Sequence, residues 1–249
     1  MTRFELNNNV GANLFTATIE EGVCEQFYAS MALQQAIQAG VNLERLHLEN
    51  AALFGIDFFN VNLSGALFQS VQLHGCQFRH SECHGIVFDH CGLLGNKFNR
   101  LTMRDLRMTG CDLTKSLFDH CRLDNFNLVF SDALGIKFKN SQINSSNLKQ
   151  SSFVGSVIKE SQLNFSLMYD CNFGSASVLD TAFFHCQMNR LYFTGSDLER
   201  VEFTKGHLLD STFKQANIEV FSLSDITCDK QTLDTLNLNK IQHSNILTN

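Results

Sequence analysis

The sequence predicts an all-β fold, a four-sided β-solenoid built from sides of five residues. Three observations predict it. Every fifth residue from Leu43 to Leu223 is large and apolar with two exceptions, Cys83 and Ala133: 27 of these 37 positions are Leu or Phe, and eight more are Met, Ile or Val. Two residues before them, 27 of 37 positions carry Ala, Cys, Ser, Thr, Val or Gly. Residues 20 apart also repeat in type, as in the series Phe58, Phe78, Phe98, Phe118 and Phe138.

A period of five matches neither the 3.6-residue helix repeat nor the two-residue strand repeat. A chain that turns a corner after every five residues points residue i and residue i−2 to the same interior. Four such sides close a square coil of 20 residues, and coils stack through backbone hydrogen bonds. The 37 fives therefore predict about nine coils, with aromatic rings stacked inside them.

Composition supports one packed, repetitive chain. The 249 residues are 44% apolar, which is enough for a core, and they include 23 Phe but no Pro and no Trp. The net charge of −6 argues against a protein that binds nucleic acid through bulk charge. No apolar run reaches the length of a membrane span, and the N-terminus lacks a secretory core. We therefore expect a cytoplasmic protein, with export into another cell left open.

The number, spacing and position of the cysteines also predict a packed, repetitive chain. Nine cysteines without paired CxxC spacing indicate neither a disulfide framework nor a zinc site. Six occupy the small inward position of a five and are predicted to be buried thiols, because free Cys packs as a small apolar residue. These are Cys76, Cys91, Cys111, Cys121, Cys171 and Cys186.

The N-terminal segment, residues 1–40, is predicted to cover one end of the rod. Residues 23–39 are predicted to form an amphipathic helix in which Phe27 and Leu33 lie on the apolar face, and Gly40 ends it. Before it, residues 12–16 and 17–21 read as two more fives, out of register with the main array. They are either part of a first coil or a separate strand.

The solenoid is assigned to residues 41–225. Glycine recurs at one corner, which predicts a turn with positive φ there; the series is Gly55, Gly75, Gly95, Gly135, Gly155 and Gly195. Residues 226–249 are predicted to form a C-terminal cap. Asp229 or Thr227 would cap a short helix that contains Leu233 and Leu236.

Three stretches carry the pattern almost unaltered: Ala66-Leu67-Phe68-Gln69-Ser70, Cys111-Asp112-Leu113-Thr114-Lys115 and Ser196-Asp197-Leu198-Glu199-Arg200. They resemble the motif of the pentapeptide-repeat family, and the resemblance spans about three quarters of the chain. It implies a right-handed quadrilateral β-helix. It also implies function through protein binding, since the quinolone-resistance and microcin-immunity relatives bind DNA gyrase or topoisomerase IV as DNA mimics. Those relatives dimerise through the C-terminal end, so a homodimer contact at 226–249 is a further expectation.

No motif in the chain predicts catalysis. The stretch Phe88-Asp89-His90-Cys91 recurs as Phe118-Asp119-His120-Cys121, but an offset of 30 residues places the copies on opposite sides of a 20-residue coil. No nucleophile motif, P-loop or Rossmann glycine pattern is present, and a core filled with Leu and Phe leaves no evident cavity. We expect a non-enzymatic protein without cofactor or metal.

Two surface sets are the candidate partner-binding residues. On the side that carries the Phe58 series, six cations form a basic stripe: Arg79, Lys97, Arg100, Lys137, Lys139 and Lys159. Acids follow them further along the same side, which fits an anionic partner, a complementary second copy or a merely solvated face. A second set of apolar residues points outward on neighbouring sides: Phe165, Leu167, Tyr169 and Phe184.

Together these features favour a scaffold whose rod surface binds a partner protein, of the regulator or exported-effector type. The alternative is a DNA-mimicking protector or inhibitor of DNA gyrase or topoisomerase IV. Mimicry requires acidic character along most of the rod, whereas residues 97–159 hold ten Lys or Arg against five Asp. Direct binding of nucleic acid is not expected.

Overall fold

The protein is a parallel, four-sided β-solenoid in a computed structural model that describes residues 1–236 and 241–248. We name the four sides A, B, C and D. Side A holds the fives that begin at residue 41 and at every twentieth residue after it, and sides B, C and D begin likewise at 46, 51 and 56. Each side is short because the chain turns a corner after every five residues.

Two strands and one helix precede the solenoid: β1 (Thr2–Asn8), β2 (Asn13–Ile19) and α1 (Tyr28–Gln38), with a 3₁₀ turn at Glu25–Phe27 before α1. The strands of the first half of the solenoid are β3 (Leu46–Glu49), β4 (Ala52–Phe54), β5 (Asp57–Phe59), β6 (Leu67–Gln69), β7 (Gln72–His74), β8 (Gln77–Arg79), β9 (Val87–Asp89), β10 (Lys97–Asn99), β11 (Thr102–Arg104), β12 (Arg107–Thr109), β13 (Leu117–Asp119), β14 (Arg122–Asp124) and β15 (Asn127–Val129).

The second half contains β16 (Lys137–Lys139), β17 (Gln142–Asn144), β18 (Val157–Lys159), β19 (Gln162–Asn164), β20 (Ser177–Phe184), β21 (Asp197–Leu208) and β22 (Asn217–Cys228). After them come α2 (Lys230–Thr235), β23 (Gln242–Ser244) and β24 (Leu247–Thr248). Several other fives make single bridges in place of strands, in the same register.

Every coil strand pairs in parallel with the residues 20 positions away. Phe98, for example, aligns with Phe78 on one neighbour and with Phe118 on the other. The side D rings stack at centroid separations of 4.7, 4.7, 4.5 and 5.1 Å from Phe58 to Phe138. A second ladder runs on side C through Phe153, Phe173, Phe193 and Phe213. The predicted fold class and its 20-residue coil are confirmed.

The corners are alike on all four sides. Every residue whose number is a multiple of five, from Arg45 to Asp225, has φ between 49° and 69°. Positive φ was predicted at the glycine corner, where Gly95 has φ 67°. Its extension to the other three corners was not predicted, because Asn, His, Ser and charged residues occupy them. Even Phe165 and the β-branched Val220 thus adopt the left-handed backbone conformation, at a steric cost.

Small inward residues satisfy the backbone between coils. The hydroxyl of Ser131 accepts from the backbone N–H of Cys111 at 3.1 Å and donates to the carbonyl of Val129 at 3.1 Å. Ser141 does the same between Cys121 and Lys139, at 3.1 and 2.8 Å. Serine is therefore tolerated at positions 131 and 141 because its hydroxyl is paired there, whereas the buried Oγ of Ser156 has no hydrogen-bond partner among the described residues.

The N-terminal end is covered by an antiparallel hairpin and α1. β1 pairs with β2 and, at Asn7 and Asn8, with β3 of side B. The segment 12–21 thus contains a separate strand, β2, rather than a first coil. Leu33 of α1 is fully buried, as predicted, whereas Phe27 is 40% exposed and lies 6.1 Å from the ring of Phe54. The helix predicted over residues 23–39 begins only at Tyr28, so Phe27 precedes it, and the prediction that Phe27 faces the end of the rod was wrong.

The C-terminal end continues the strand register beyond residue 225. Asp229 is the N-cap of α2, and its carboxylate accepts from the backbone N–H of Thr232 at 2.8 Å. Leu233 lies in this helix, while Leu236 is its C-cap. β23 and β24 then pair with β22 in the same 20-residue register. The solenoid therefore extends past the predicted nine coils to about ten turns.

Candidate functional site

The six cations of the predicted basic stripe all lie on side D. Arg79 is paired with Asp57, with Nε 3.2 Å from Oδ1, and Lys159 with Glu160 at 3.3 Å. The remaining four form no ion pair with other described residues; they are Lys97, Arg100, Lys137 and Lys139. Lys139 is half-buried and the other three are exposed or nearly so. The six cations therefore lie on one face of the rod, and four of them carry a positive charge without an ion-pair partner among the described residues.

The C-terminal part of side D carries the opposite charge. Arg200 holds Asp180 through Nη2 at 3.0 Å and also contacts Glu199. Hydrogen bonds from Arg200 lower the pKa of Asp180 below its usual range. Asp197 and Glu219 are exposed and have no ion-pair partner in the described parts of the chain. Side D thus changes sign along the rod.

The four outward apolar residues of the second predicted set lie in two places. We name Phe165, Phe184, His185 and Lys205 the aromatic corner, since they cluster where side A meets side B. The ring of Phe165 lies 5.5 Å from that of Phe184, edge to face, and 5.2 Å from that of His185, stacked. Lys205 Nζ lies 5.6 Å from the Phe184 ring centroid. Phe165 is 55% exposed, and Phe184 is half-buried.

Leu167 and Tyr169 lie on the adjoining side B and are half-buried. The Tyr169 ring carries Lys149 Nζ at 4.9 Å from its centroid, and its hydroxyl lies 3.4 Å from Gln187 Oε1. These contacts pack the Tyr169 side chain against side chains of the two neighbouring coils. The structure therefore brings Phe165 and Phe184 together, and leaves Leu167 and Tyr169 beside them as the flank of the corner.

His185 and Lys205 of the aromatic corner were not singled out from the sequence. The sequence did contain a signal for them, because residues 165, 185 and 205 are 20 apart and therefore occupy one corner column. A second missed cluster lies near the N-terminal end of side D. There the Arg79 guanidinium lies 5.0 Å from the ring centroid of Phe59, and the His80 ring packs on Phe59 edge to face at 5.6 Å.

The thiols are free and mostly buried. All nine cysteines are unpaired with one another, eight are buried and Cys24 is exposed. Cys91 and Cys111, stacked on adjacent coils, each lie against backbone carbonyls. Burial raises the pKa of Cys91 to about 11 and that of Cys111 to about 12. The predicted packing role of the six inward cysteines is confirmed.

The histidines make local contacts. His90 Nδ1 lies 2.8 Å from Asp89 on side B, and His120 Nδ1 lies 2.9 Å from Asp119 on side D, the opposite side. Within residues 1–236 and 241–248, no group of three or more His, Cys, Asp or Glu could hold a metal ion. The described helices include none that is long and apolar enough to cross a membrane. A groove of about 450 Å³ runs along the corner between sides D and A, past Asp180, Arg200 and Val220.

The family model described as "Pentapeptide repeats (8 copies)" matches residues 56–91. Among solved structures, this chain is similar to HetL, a pentapeptide repeat protein involved in heterocyst differentiation regulation from the cyanobacterium Nostoc sp. strain PCC 7120. The identity is 13% over 75% of this chain and 93% of HetL, with a TM-score of 0.47. It is also similar to full-length QnrB1, a plasmid-mediated fluoroquinolone resistance protein, at 17% identity over 82% of this chain and 93% of that one, with a TM-score of 0.31.

A third similar structure is the catalytic domain of a GH87 α-1,3-glucanase in complex with nigerose. The identity is 9% over 88% of this chain and 48% of that one, with a TM-score of 0.29. No curated protein matches this chain in sequence.

Proposed function

The chain is a pentapeptide-repeat protein, and from this premise we propose that it is a non-enzymatic scaffold whose rod surface binds a partner protein. The observation that carries the proposal is the aromatic corner. Stacked Phe and Leu side chains fill the core of the solenoid, so a binding site has to lie on its outer sides. On those sides, the aromatic corner concentrates apolar area that the fold itself does not need.

The position of Phe165 supports this assignment. Its φ of 53° lies in the left-handed region, which disfavours a bulky side chain, and its ring remains 55% exposed. Glycine or asparagine would satisfy the same corner with less strain, as glycine does at residues 65 and 85 of this column. Phe130 has the same φ and is also exposed, so the feature that distinguishes Phe165 is the cluster that its ring forms with Phe184 and His185.

The neighbours of Phe165 make the corner a rigid binding element. Phe184 packs against it edge to face and His185 stacks on it, so the three rings brace one another. Rigid aromatic groups lose little conformational entropy on binding and dominate the energetics of many interfaces. Lys205 adds a positive charge at one end of the cluster. The corner therefore suits a partner with an apolar contact beside an acidic group.

The proposal places the protein in the bacterial cytoplasm, with export as an effector as the alternative. Nine free thiols, one of them exposed, support a reducing compartment.

The test is affinity capture from the source cells with matched variants. Phe165→Asn removes the ring and suits left-handed φ, so folding should be retained. Phe130→Asn is the control, since Phe130 is 65% exposed, has the same φ of 53° and lies on a different corner. We expect the wild-type protein and Phe130→Asn to retain the same bound protein, and Phe165→Asn to lose at least about tenfold of it. Equal recovery by the two variants would refute a role for the aromatic corner.

Topoisomerase protection is the second candidate. The observation that favours it is the acidic end of side D, where four acids occupy three successive coils: Asp180, Asp197, Glu199 and Glu219. The unpaired cations of the same side oppose it. A gyrase supercoiling assay with a quinolone, titrated with the purified protein, separates the two candidates. Rescue of supercoiling that Asp197→Lys abolishes would place topoisomerase protection first.

A further inference from the structure

We propose that an apolar row on side C is a docking site for an amphipathic α-helix of a partner protein. The row is the outward column next to the corner between sides C and D, and its six members are 20 residues apart: Phe54, His74, Leu94, Thr114, Leu134 and Val154. Phe54, Leu94 and Leu134 are 48, 40 and 44% exposed. Three large exposed apolar residues in one column indicate an interaction surface rather than scattered surface residues.

The fold leaves the apolar row uncovered. Phe27, which is 40% exposed, extends the row at the N-terminal end, where its ring lies 6.1 Å from that of Phe54. The His74 ring stacks on Phe54 at 5.5 Å, so the aromatic end of the row is continuous. Glycine occupies the adjoining corner beside every member except Thr114. Little side-chain material therefore shields the row from that corner.

The spacing of the apolar row fits the turns of an α-helix. Coils lie about 4.8 Å apart, so Leu94 and Leu134 are about 9.6 Å apart along the rod. Two turns of a helix rise about 10.5 Å. Thr114, which lies between the two leucines, is smaller and leaves a recess for a large side chain of the helix. An extended strand repeats its side-chain direction every ~6.6 Å and does not match this spacing.

The two margins of the apolar row carry opposite charge. Between residues 50 and 155, side C and its two corners contain three residues of the Asp, Glu, Lys and Arg types: Asp112, Lys115 and Asp132. The two aspartates lie on adjacent coils in the other outward column of side C, and Lys115 lies on the corner between sides C and D. Lys97 and Lys137 continue this positive margin on side D.

These charges determine the margins of the helix that fits. All five residues are exposed, and none has an ion-pair partner within residues 1–236 and 241–248. The helix therefore carries basic residues on the margin that faces Asp112 and Asp132, and acidic residues on the margin that faces Lys115. Its apolar seam packs on the row between these margins.

The two aspartates disfavour other occupants. They point to the same side of the rod as the leucines, so they repel an anionic lipid surface. In a two-fold pair of antiparallel copies through side C, the residues set against Asp112 and Asp132 come from their own column, which holds no Lys or Arg. In parallel copies the opposing residues are Thr114 and Leu134. A second copy thus leaves both carboxylates without a basic partner.

The site is independent of the function assigned to Phe165. The corner between sides C and D lies diagonally opposite the aromatic corner, and Phe130 lies on a third corner, beyond the two aspartates. The rod therefore has room for two partners at once. The contact on side C is small: a row about 24 Å long on a side about 10 Å wide gives roughly 240 Å² on each partner. We expect affinity in the micromolar range or weaker.

Fluorescence polarisation with synthetic helical peptides tests the site on the purified full chain. The probe is a labelled peptide of about 18 residues, or about 27 Å, which spans the row. It has a leucine seam, Lys along one margin and Glu along the other. One control peptide has Ser in place of the seam leucines, and a second keeps the leucines with Glu on both margins. We expect the probe to bind wild type at least about tenfold more tightly than the serine peptide.

An apolar substitution locates the binding on the row. Leu134→Ser should weaken the probe at least about tenfold. Tyr192→Ser is the matched control, since Tyr192 is 45% exposed on the same side but in the other outward column. It should bind the probe as wild type does. Phe165→Asn should also bind the probe as wild type does, which separates this site from the aromatic corner.

A charge substitution tests the margins. The carboxylates of Asp112 and Asp132 accept from the backbone N–H groups of Thr114 and Leu134, at 2.9 and 3.1 Å, and Asn keeps an oxygen for this bond. The double variant Asp112→Asn, Asp132→Asn should therefore fold, bind the probe more weakly than wild type does and bind the peptide with two Glu margins more tightly. Asp197→Asn, at an exposed position on side D, is the control and should change neither affinity.

Five results would overturn the proposal. These are equal binding of the probe and the serine peptide, equal losses from Leu134→Ser and Tyr192→Ser, and peptide affinities that the double Asn variant leaves unchanged. The fourth is binding of phosphatidylserine vesicles that Leu134→Ser abolishes, which would assign the row to a lipid surface. The fifth is self-association that Leu134→Ser abolishes, which would assign it to a second copy.

Discussion

Replacement of Phe98 with alanine perturbs the centre of the side D ladder. The Phe98 ring is 1% exposed and stacks on Phe78 at 4.7 Å and on Phe118 at 4.5 Å, with interplanar angles of 8° and 7°. Loss of a buried Phe side chain costs about 3 to 5 kcal/mol, from lost burial and from the cavity left behind. Because backbone strands hold both neighbours at their coil spacing, the site cannot collapse, and we expect a value in the upper half of this range.

A comparison within the ladder isolates the contribution of stacking. Phe138 stacks on Phe118 at 5.1 Å, and its next column neighbour is Ile158, so it is the last ring of the ladder. Phe138→Ala should therefore cost about 0.5 to 1.5 kcal/mol less than Phe98→Ala, the worth of one aromatic pair beyond its buried area. Phe118→Ala, which also loses two stacking partners, should resemble Phe98→Ala.

Guanidinium unfolding followed by circular dichroism measures these differences, and hydrogen exchange shows whether the loss is local to the affected coils. Lys137→Glu is the control, since this exposed residue lies on the coil of Phe138 and its replacement should change stability by less than about 0.5 kcal/mol. A Phe98→Ala protein within about 1 kcal/mol of wild type would refute the four-sided packing of the core.

Three further predictions concern register, thiols and acid stability. One residue inserted after Gly95 should unfold or severely destabilise the following coils, whereas an inserted 20-residue coil should leave the melting temperature near that of wild type, because partners lie 20 apart; thermal melts of the two proteins provide the check. In the native protein at pH 8, a thiol reagent should modify Cys24 rapidly and the eight buried cysteines only on unfolding; rapid modification of several thiols would contradict the packing. Hydrogen bonds from Arg190 lower the pKa of Asp170, so their stabilising effect is present above about pH 4 and is lost as pH falls through the lowered pKa. The stability difference between wild type and Asp170→Asn should accordingly shrink from pH 7 to about pH 2, which urea midpoints at the two pH values measure.

Most of the solenoid could be predicted from the sequence because its packing is periodic. One inward large residue per five residues defines the sides, and agreement at a spacing of 20 defines the coil. The ladder from Phe58 to Phe138 and the inward cysteines follow directly from these two numbers. The same logic explains why the conformation of the corners was only partly predicted. Backbone geometry requires positive φ there, and Asn, Ser or His can adopt it as Gly does, so composition reveals only the glycine corner.

The two ends could not be predicted as well, because they depart from the period. The strand of residues 13–19 reads as two fives in sequence, yet it pairs antiparallel with β1, which the spacing of inward residues does not encode. At the other end, α2 interrupts the array, and the tail resumes pairing at Gln242, which aligns with Ser222. By register His243 takes the place of the large inward residue there, yet it is polar and exposed, so the apolar period no longer marks the coil.

Surface sites were only partly predictable for a related reason. The 20-residue columns place the basic stripe on side D, but they could not show that Arg79 is neutralised by Asp57, since the pair depends on side-chain conformation across 22 residues. Phe165 and Phe184 were identified as outward residues, whereas the packing of His185 against both rings emerged only in three dimensions.

Site-specific photo-crosslinking tests most directly whether the rod binds its partner through the aromatic corner. A photoreactive amino acid is placed at position 165 of the full chain in the source cells, and at position 130 as the matched exposed corner. We expect one discrete crosslinked protein from position 165 that position 130 does not yield and that the Phe184→Ala background weakens. The absence of any crosslinked protein at position 165, or the same products at both positions, would contradict a scaffold that binds its partner through the aromatic corner.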